Sequence, residues 1–193
     1  MVSEDLYRFL KGTAITLAVV WVGWSISDSF FSGRNPGDNA YHEANTLFED
    51  GYYHRALDKY EDALRLAPNH IHARRGRARA LLQLGRLAEA LQEFDAVIAM
   101  EPEFAAAYAN RAILHDRMGN YPQAIEDYQR ALVLDPELAR GPHWLTRFLR
   151  LQVEKPPTIA DRARYLRDQL ALPESERLLR VPEVDAKQRS YKQ

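Results

Sequence analysis

The sequence predicts an all-α protein in which one N-terminal transmembrane helix precedes an α-solenoid of three helix pairs and a degenerate capping pair. Three observations carry this expectation. Residues 12–26, GTAITLAVVWVGWSI, contain no charge. Residue types recur with a period of 34 between positions 37 and 138. The chain has 193 residues, 46% hydrophobic and 27% charged, enough to bury a core and too apolar for wholesale disorder or a collagen-like structure.

The first element is the apolar run. Extended to Phe31 it is interrupted only by Asp28, and about 20 helical positions cross a hydrocarbon layer of about 30 Å. Lys11 reaches the headgroups on one side, while Asp28, Phe30 and Phe31 sit in the opposite interface. Trp21 and Trp24 lie within the run. Arg8 and Lys11 precede it and Arg34 alone follows closely, so the positive-inside rule keeps the N-terminus cytoplasmic and exports the rest. Ser25 and Ser27 offer a small-x-small cleavage site, but the bulky Trp-rich segment and the lack of Ala-x-Ala favour an uncleaved anchor. A helix packed on a soluble core would show a polar stripe, which is missing. Residues 32–36, SGRNP, read as a short linker.

The repeat occupies residues 37–138. Small residues recur at Ala44, Ala78 and Ala112, and again at Ala56, Ala90 and Ala124. Glycines recur at Gly51, Gly85 and Gly119, aromatics at Tyr60, Phe94 and Tyr128, and prolines at Pro68, Pro102 and Pro136. The alanines let two antiparallel helices approach closely, and the aromatics fill the gap to the next unit. Glycine ends the first helix in the left-handed conformation, and proline stops the second. A helix pair cannot bury its apolar face alone, so the pairs stack. This pattern resembles the tetratricopeptide repeat, three times over. The resemblance implies a right-handed superhelix with a concave groove. Repeat 1 departs from it at Ala40 and Glu43, as a terminal repeat does.

After residue 138 the period decays. Gly141 and Pro142 open an expected helix over residues 143–154, whose Trp144, Leu145, Phe148, Leu149 and Leu151 would cap the stack. Residues 155–157, KPP, break it, and Thr158 with Asp161 forms a capping-box pattern for a helix over 159–170. Residues 139–172 thus form a capping pair. Residues 173–193 form a tail, with a helical turn expected through Leu178 and Leu179 and an extended stretch beyond them. Charge is uneven, at −6 over residues 37–138 and +5 over 139–193.

No catalytic motif is present: no HExxH, GxSxG, GxGxxG or P-loop. The absence of cysteine removes disulfides, thiol nucleophiles and Cys-type metal sites. His70 and His72 lack further ligands at metal spacing and read as solvated loop and helix-start histidines. Asp58 with Glu61 and Asp62, and Glu126 with Asp127, read as solvated faces of second helices. Neither enzymatic activity, cofactor nor metal is expected, and a net charge of −1 gives no basic field for nucleic acid.

The resemblance implies a binding groove lined by five positions of each first helix. These are Asp38, Tyr41, Asn45, Phe48 and Glu49 in repeat 1, and His72, Arg75, Arg79, Leu82 and Gln83 in repeat 2. In repeat 3 they are Ala106, Ala109, Ile113, Asp116 and Arg117. The candidate peptide-binding set is Tyr41, Asn45, Phe48, Glu49, His72, Arg75, Arg79, Gln83, Asp116 and Arg117. Arg75 and Arg79 are i, i+4 neighbours able to grip one carboxylate or phosphate together, unless they pair with groove acids Glu49 and Asp116. Chaperone-binding members of the family carry a Lys/Asn/Arg carboxylate clamp; of those positions only Asn45 matches, with Tyr41, Gly76, Ala106 and Asn110 at the others.

These features converge on a membrane-anchored scaffold or assembly factor for a membrane or envelope complex. It would bind peptide or helix segments of protein partners in the periplasm of a bacterium, anchored in the inner membrane. With 21 Arg against 5 Lys, the basic composition fits a GC-rich bacterial genome. The alternative is an accessory subunit permanently integrated in a larger membrane complex. Trp144 and Phe148 are the candidates for pairing end helices in a homodimer.

Overall fold

The computed structural model describes residues 4–31, 36–141 and 157–180, without the side chains of residues 5, 7 and 26–31. All described regular structure is helical. Helix α1 spans Glu4–Phe31. Six helices follow as three pairs: α2 (Asp38–Glu49) with α3 (Tyr53–Leu66), α4 (Ile71–Gln83) with α5 (Leu87–Met100), and α6 (Ala105–Met118) with α7 (Tyr121–Leu134). A 3₁₀ turn at Pro136–Ala139, helix α8 (Ile159–Leu170) and a second 3₁₀ turn at Glu174–Glu176 complete the order. The expected helix over 143–154, with Trp144 and Phe148, lies outside the described residues, as do positions 181–193.

The period seen in the letters is repeated atom by atom in the backbone. Gly51, Gly85 and Gly119 have φ of +82°, +72° and +81°. Tyr52, Arg86 and Asn120 donate their N–H groups to the carbonyls of Leu47, Leu81 and His115 at 2.9, 3.0 and 2.8 Å. This six-to-one bond, with each glycine N–H returning to the residue three before it, closes a Schellman motif and satisfies the terminal carbonyls of each first helix. The three second helices therefore leave their partners along the same path. All six periodic alanines are fully buried, and Tyr60, Phe94 and Tyr128 are buried between units. Close backbone approach at alanine and volume filling by the aromatics together hold the stack.

Helix α8 begins with the expected capping box. Thr158 Oγ1 accepts from the Asp161 N–H at 3.3 Å, and Asp161 Oδ2 accepts from the Thr158 N–H at 3.0 Å. Its apolar face, Ile159, Ala163 and Leu166, is buried against α7 and the Pro136–Ala139 turn. After α8 the chain departs from expectation. The helical turn forms at Glu174–Glu176, and Leu178 and Leu179 lie in chain without regular structure.

The transmembrane expectation for α1 finds no support among the described residues: no helix is long and apolar enough to cross a membrane. Among the residues with described side chains, the uncharged run covers 12–25, which rises about 21 Å against a hydrocarbon core of about 30 Å. Lys11 bounds the run, and Thr13 and Thr16 turn their hydroxyls back to the Phe9 and Gly12 carbonyls. What α1 does display is exposed apolar surface, including Phe9, Leu17, Val19, Trp21 and Trp24.

Candidate functional site

Helices α2, α4 and α6, the first of each pair, present a common face, and a small cavity of about 40 Å³ opens on it. Tyr41 and Asn45 come from α2; His72, Arg75, Gly76 and Arg79 from α4; Phe104, which precedes α6, and Ala107 and Asn110 come from the repeat-3 side. Phe94 and Val97 of α5 form its floor. The space accepts a few water-sized groups, so it fits the end of one side chain rather than a whole small-molecule ligand of several hundred Å³.

Asn45, Arg75 and Arg79 are held from behind. The Tyr60 hydroxyl donates to Asn45 Oδ1 at 2.7 Å. Burial pushes the Tyr60 phenol well above its ordinary range, so it stays a proton donor. Arg79 is 8% exposed, with its guanidinium 4.3 Å from the centre of the Phe48 ring. Burial lowers the Arg79 pKa, opposed by Tyr60 and Glu49 nearby. Arg75 is half-buried, pairs with Glu101 in the turn after α5, and lies 3.5 Å from the centre of the Phe104 ring. His72 is exposed beside Tyr41 and His70, with ring centres 6.1 Å apart in both cases. Burial, then the Arg75 charge, holds its pKa below the ordinary histidine value and favours the neutral imidazole, which donates on one nitrogen and accepts on the other.

Of the ten residues expected to line the groove, Tyr41, Asn45, His72, Arg75 and Arg79 meet here. The other five do not line the cavity. Phe48 is buried between units, edge-on to Tyr53 and beneath Arg79. Asp116 is 5% exposed because α8 covers it: Arg162 Nε and Nη2 bind its two oxygens at 2.7 and 2.8 Å. Arg117 turns to the Leu82 carbonyl, 3.0 Å away. Glu49 is exposed beyond the cavity rim, and Gln83 is half-buried near the end of α4. The twelfth position of each first helix therefore faces the next unit, as Phe48, Leu82 and Asp116 all do by their burial.

The joint anion grip also needs revision. Arg75 is engaged by Glu101 rather than by Glu49 or Asp116, and Arg79 is a packed core cation instead of a free groove charge. Arg74 and Arg77 both pair with Glu93, the former at 3.6 Å. Nor is His70 a solvated loop residue. It caps α4 by accepting from the Ala73 N–H at 3.3 Å, and its other nitrogen meets Asp38 at 3.0 Å. Asp127 is likewise buried, gripped in two places by Arg111 at 2.7 Å each. Among the described residues no group of three His, Asp or Glu is placed to hold a metal.

Phe104, Ala107 and Glu101 were not singled out by their letters. Glu101 occupies the turn position held by Ala67 and Asp135 in the other units, where residue type varies freely, so spacing offers no cue. Phe94 was visible as a repeat aromatic, but its place in a cavity floor follows only from the approach of α4 to α6.

A sequence profile described as tetratricopeptide repeat matches residues 47–114, and a second of the same description matches residues 105–138. No curated protein matches the sequence. The first tetratricopeptide domain of Spaghetti (RPAP3), bound to the HSP90 peptide SRMEEVD, is similar with a TM-score of 0.57 at 20% identity, covering 71% of this chain and 94% of that one. MamA from Desulfovibrio magneticus RS-1 gives 0.52 at 25% identity over 72% of this chain and 81% of that one. The TPR2B domain of yeast Sti1, in complex with pHsp70, gives 0.50 at 24% identity, covering 60% of this chain and 91% of its own. These likenesses concern the fold.

Proposed function

We propose, from the tetratricopeptide-repeat profiles that match residues 47–114 and 105–138, that the protein is a protein-interaction scaffold whose first helices bind a peptide or helix segment of a partner. The observation that carries this reading is the convergence of three units on one cavity, where Tyr41, Asn45, His72, Arg75 and Arg79 combine aromatic surface with fixed hydrogen-bonding groups. A flat charged surface would not need Tyr60 and Phe48 to hold its polar residues in place. Two similar domains are recorded with chaperone peptides or proteins. The clamp positions differ here, so a different segment is the expected ligand.

In this reading the scaffold works at a bacterial inner membrane, with α1 as its anchor and the repeats in the periplasm. Support comes from the exposed apolar surface of α1 and from Arg8 and Lys11 ahead of the uncharged run. The apolar length needed for a full span draws on Ile26, Phe30 and Phe31, whose side chains lie outside the described set. Anchoring raises the effective concentration for partners in the same membrane.

Photo-cross-linking in living cells tests the binding face. A benzophenone amino acid at His72 is expected to capture a discrete partner band, and one at exposed Asp58 on α3 is not. Arg75→Glu should weaken the His72 band at least tenfold while leaving helicity unchanged. Equal capture at both positions, or a His72 band indifferent to Arg75→Glu, would overturn the groove reading. Recovery at fixed stoichiometry through detergent and high salt would instead favour a permanent subunit of a larger complex.

A further inference from the structure

Beyond the cavity, the chain holds a second arrangement suited to binding an extended peptide, and one of its own segments occupies it. Residues 177–180 run along α8 without regular structure, beginning at Arg177 with φ −73° and ψ 127°. Three side chains spaced along one face of α8 hold the main chain of this segment. Tyr165 Oη donates to the Leu178 carbonyl at 2.6 Å, Gln169 Oε1 accepts from the Leu178 N–H at 2.6 Å, and Arg162 Nη2 donates to the Leu179 carbonyl at 3.1 Å. The Arg180 guanidinium then reaches the Arg117 carbonyl, 3.1 Å away in the last turn of α6, where helix carbonyls lack internal partners and carry partial negative charge.

Side chains alternate along the segment as they do along a strand. Leu179 is half-buried against the core, while Leu178 is 61% exposed and Arg180, also exposed, lies over the end of α6. This is recognition of an extended chain through its main chain, with one apolar pocket and one basic contact setting preference. Arg162 is suited to the task because Asp116 holds it rigidly from behind.

We propose that the face formed by Arg162, Tyr165 and Gln169 of α8, with the carboxyl end of α6, is an exchangeable site for extended apolar–arginine segments, filled in the resting chain by its own residues 177–180. The occupant is marginally held by comparison with the helix stack. It has no ladder of backbone hydrogen bonds and only Leu179 is inserted, so it belongs to the least stable part of the described structure. A partner carrying a Leu-Arg pair in extended chain would enter by displacing it. This inference does not depend on the cavity at Tyr41 and Arg75.

Competition in the full-length chain tests it. The probe is a fluorescein-labelled peptide of residues 172–180, followed by anisotropy. Leu179→Asp and, separately, Leu178→Pro are made in the full chain to release the internal segment; the second changes an exposed residue and removes only the N–H given to Gln169. Trypsin cleavage after Arg180 reports release in both variants, and cleavage after Arg177 reports it in Leu179→Asp alone, since trypsin does not cut the Arg–Pro bond that Leu178→Pro creates; circular dichroism reports the helices. The peptide is expected to bind each released variant at least tenfold more tightly than the unaltered chain. Adding Tyr165→Phe and Gln169→Ala should abolish that gain. Release by trypsin without peptide binding, equal binding to the unaltered chain, or a gain that survives the α8 substitutions would each overturn the proposal.

Discussion

Gly76 shows how a single missing atom couples packing to the binding face. A Cβ there would stand 2.2 Å from Tyr60 Cε1 and 2.3 Å from its Cζ, both impossible contacts. Tyr60 cannot swing away freely, because it is fully buried and its hydroxyl is bonded to Asn45. In an exposed helix such a glycine would cost about 1 kcal/mol relative to alanine; here the interdigitated ring reverses that preference. Gly76→Ala is expected to destabilise the fold by about 1–3 kcal/mol, the usual range for overpacking, read as a lower urea midpoint with an unchanged slope. An unchanged midpoint would show that the ring has room to move. Because Arg79 is similarly packed over Phe48, its removal would lower stability as well as alter the face, whereas Arg75 and His72 are better probes of binding alone.

Helix α8 is tied to the repeats by its apolar face and, beyond that, by one buried pair. Arg162 and Asp116, 46 positions apart, make a two-pronged bond with side chains 5% and 4% exposed. Such a pair adds little over a well-packed apolar substitute, but breaking one half leaves a bare buried charge at a cost of about 3–5 kcal/mol. Asp116→Ala should therefore lower stability on that scale in chemical denaturation, and Asp116→Ala combined with Arg162→Met should recover much of the loss. If the double variant is as unstable as the single one, the cost comes from lost packing rather than from stranded charge. The same pair removes Asp116 from the groove face.

Across the molecule, the apolar surface of α1 has the least cover, while the stacked helices bury their apolar sides. Exposed apolar area on that scale marks a surface that meets lipid or another protein. The membrane reading predicts that the full chain stays in the membrane pellet after alkaline carbonate washing, and that Val19→Asp with Trp21→Asp moves it to the supernatant. A C-terminal alkaline phosphatase fusion should be active if the repeats are exported, and a fluorescent-protein fusion active in its place would put them in the cytoplasm. A wild-type chain found wholly in the supernatant would redirect α1 towards a protein partner.

Much of this architecture was readable in the letters, and the readable parts share a cause. Helix starts, glycine stops and the burial of every thirty-fourth alanine depend on residues within a turn or two of one another, so Gly51, Gly85, Gly119 and the Thr158 cap follow from local chemistry. Five of the ten expected groove residues share one cavity for the same reason, being set by their place on a helix face. The fates of Asp116, Asp127, His70 and Leu179 were not readable in the letters. Each is defined by an atom that packing brings from elsewhere, Arg162, Arg111, Asp38 or the core beside α8, and no spacing rule in a single sequence records which distant side chain will arrive.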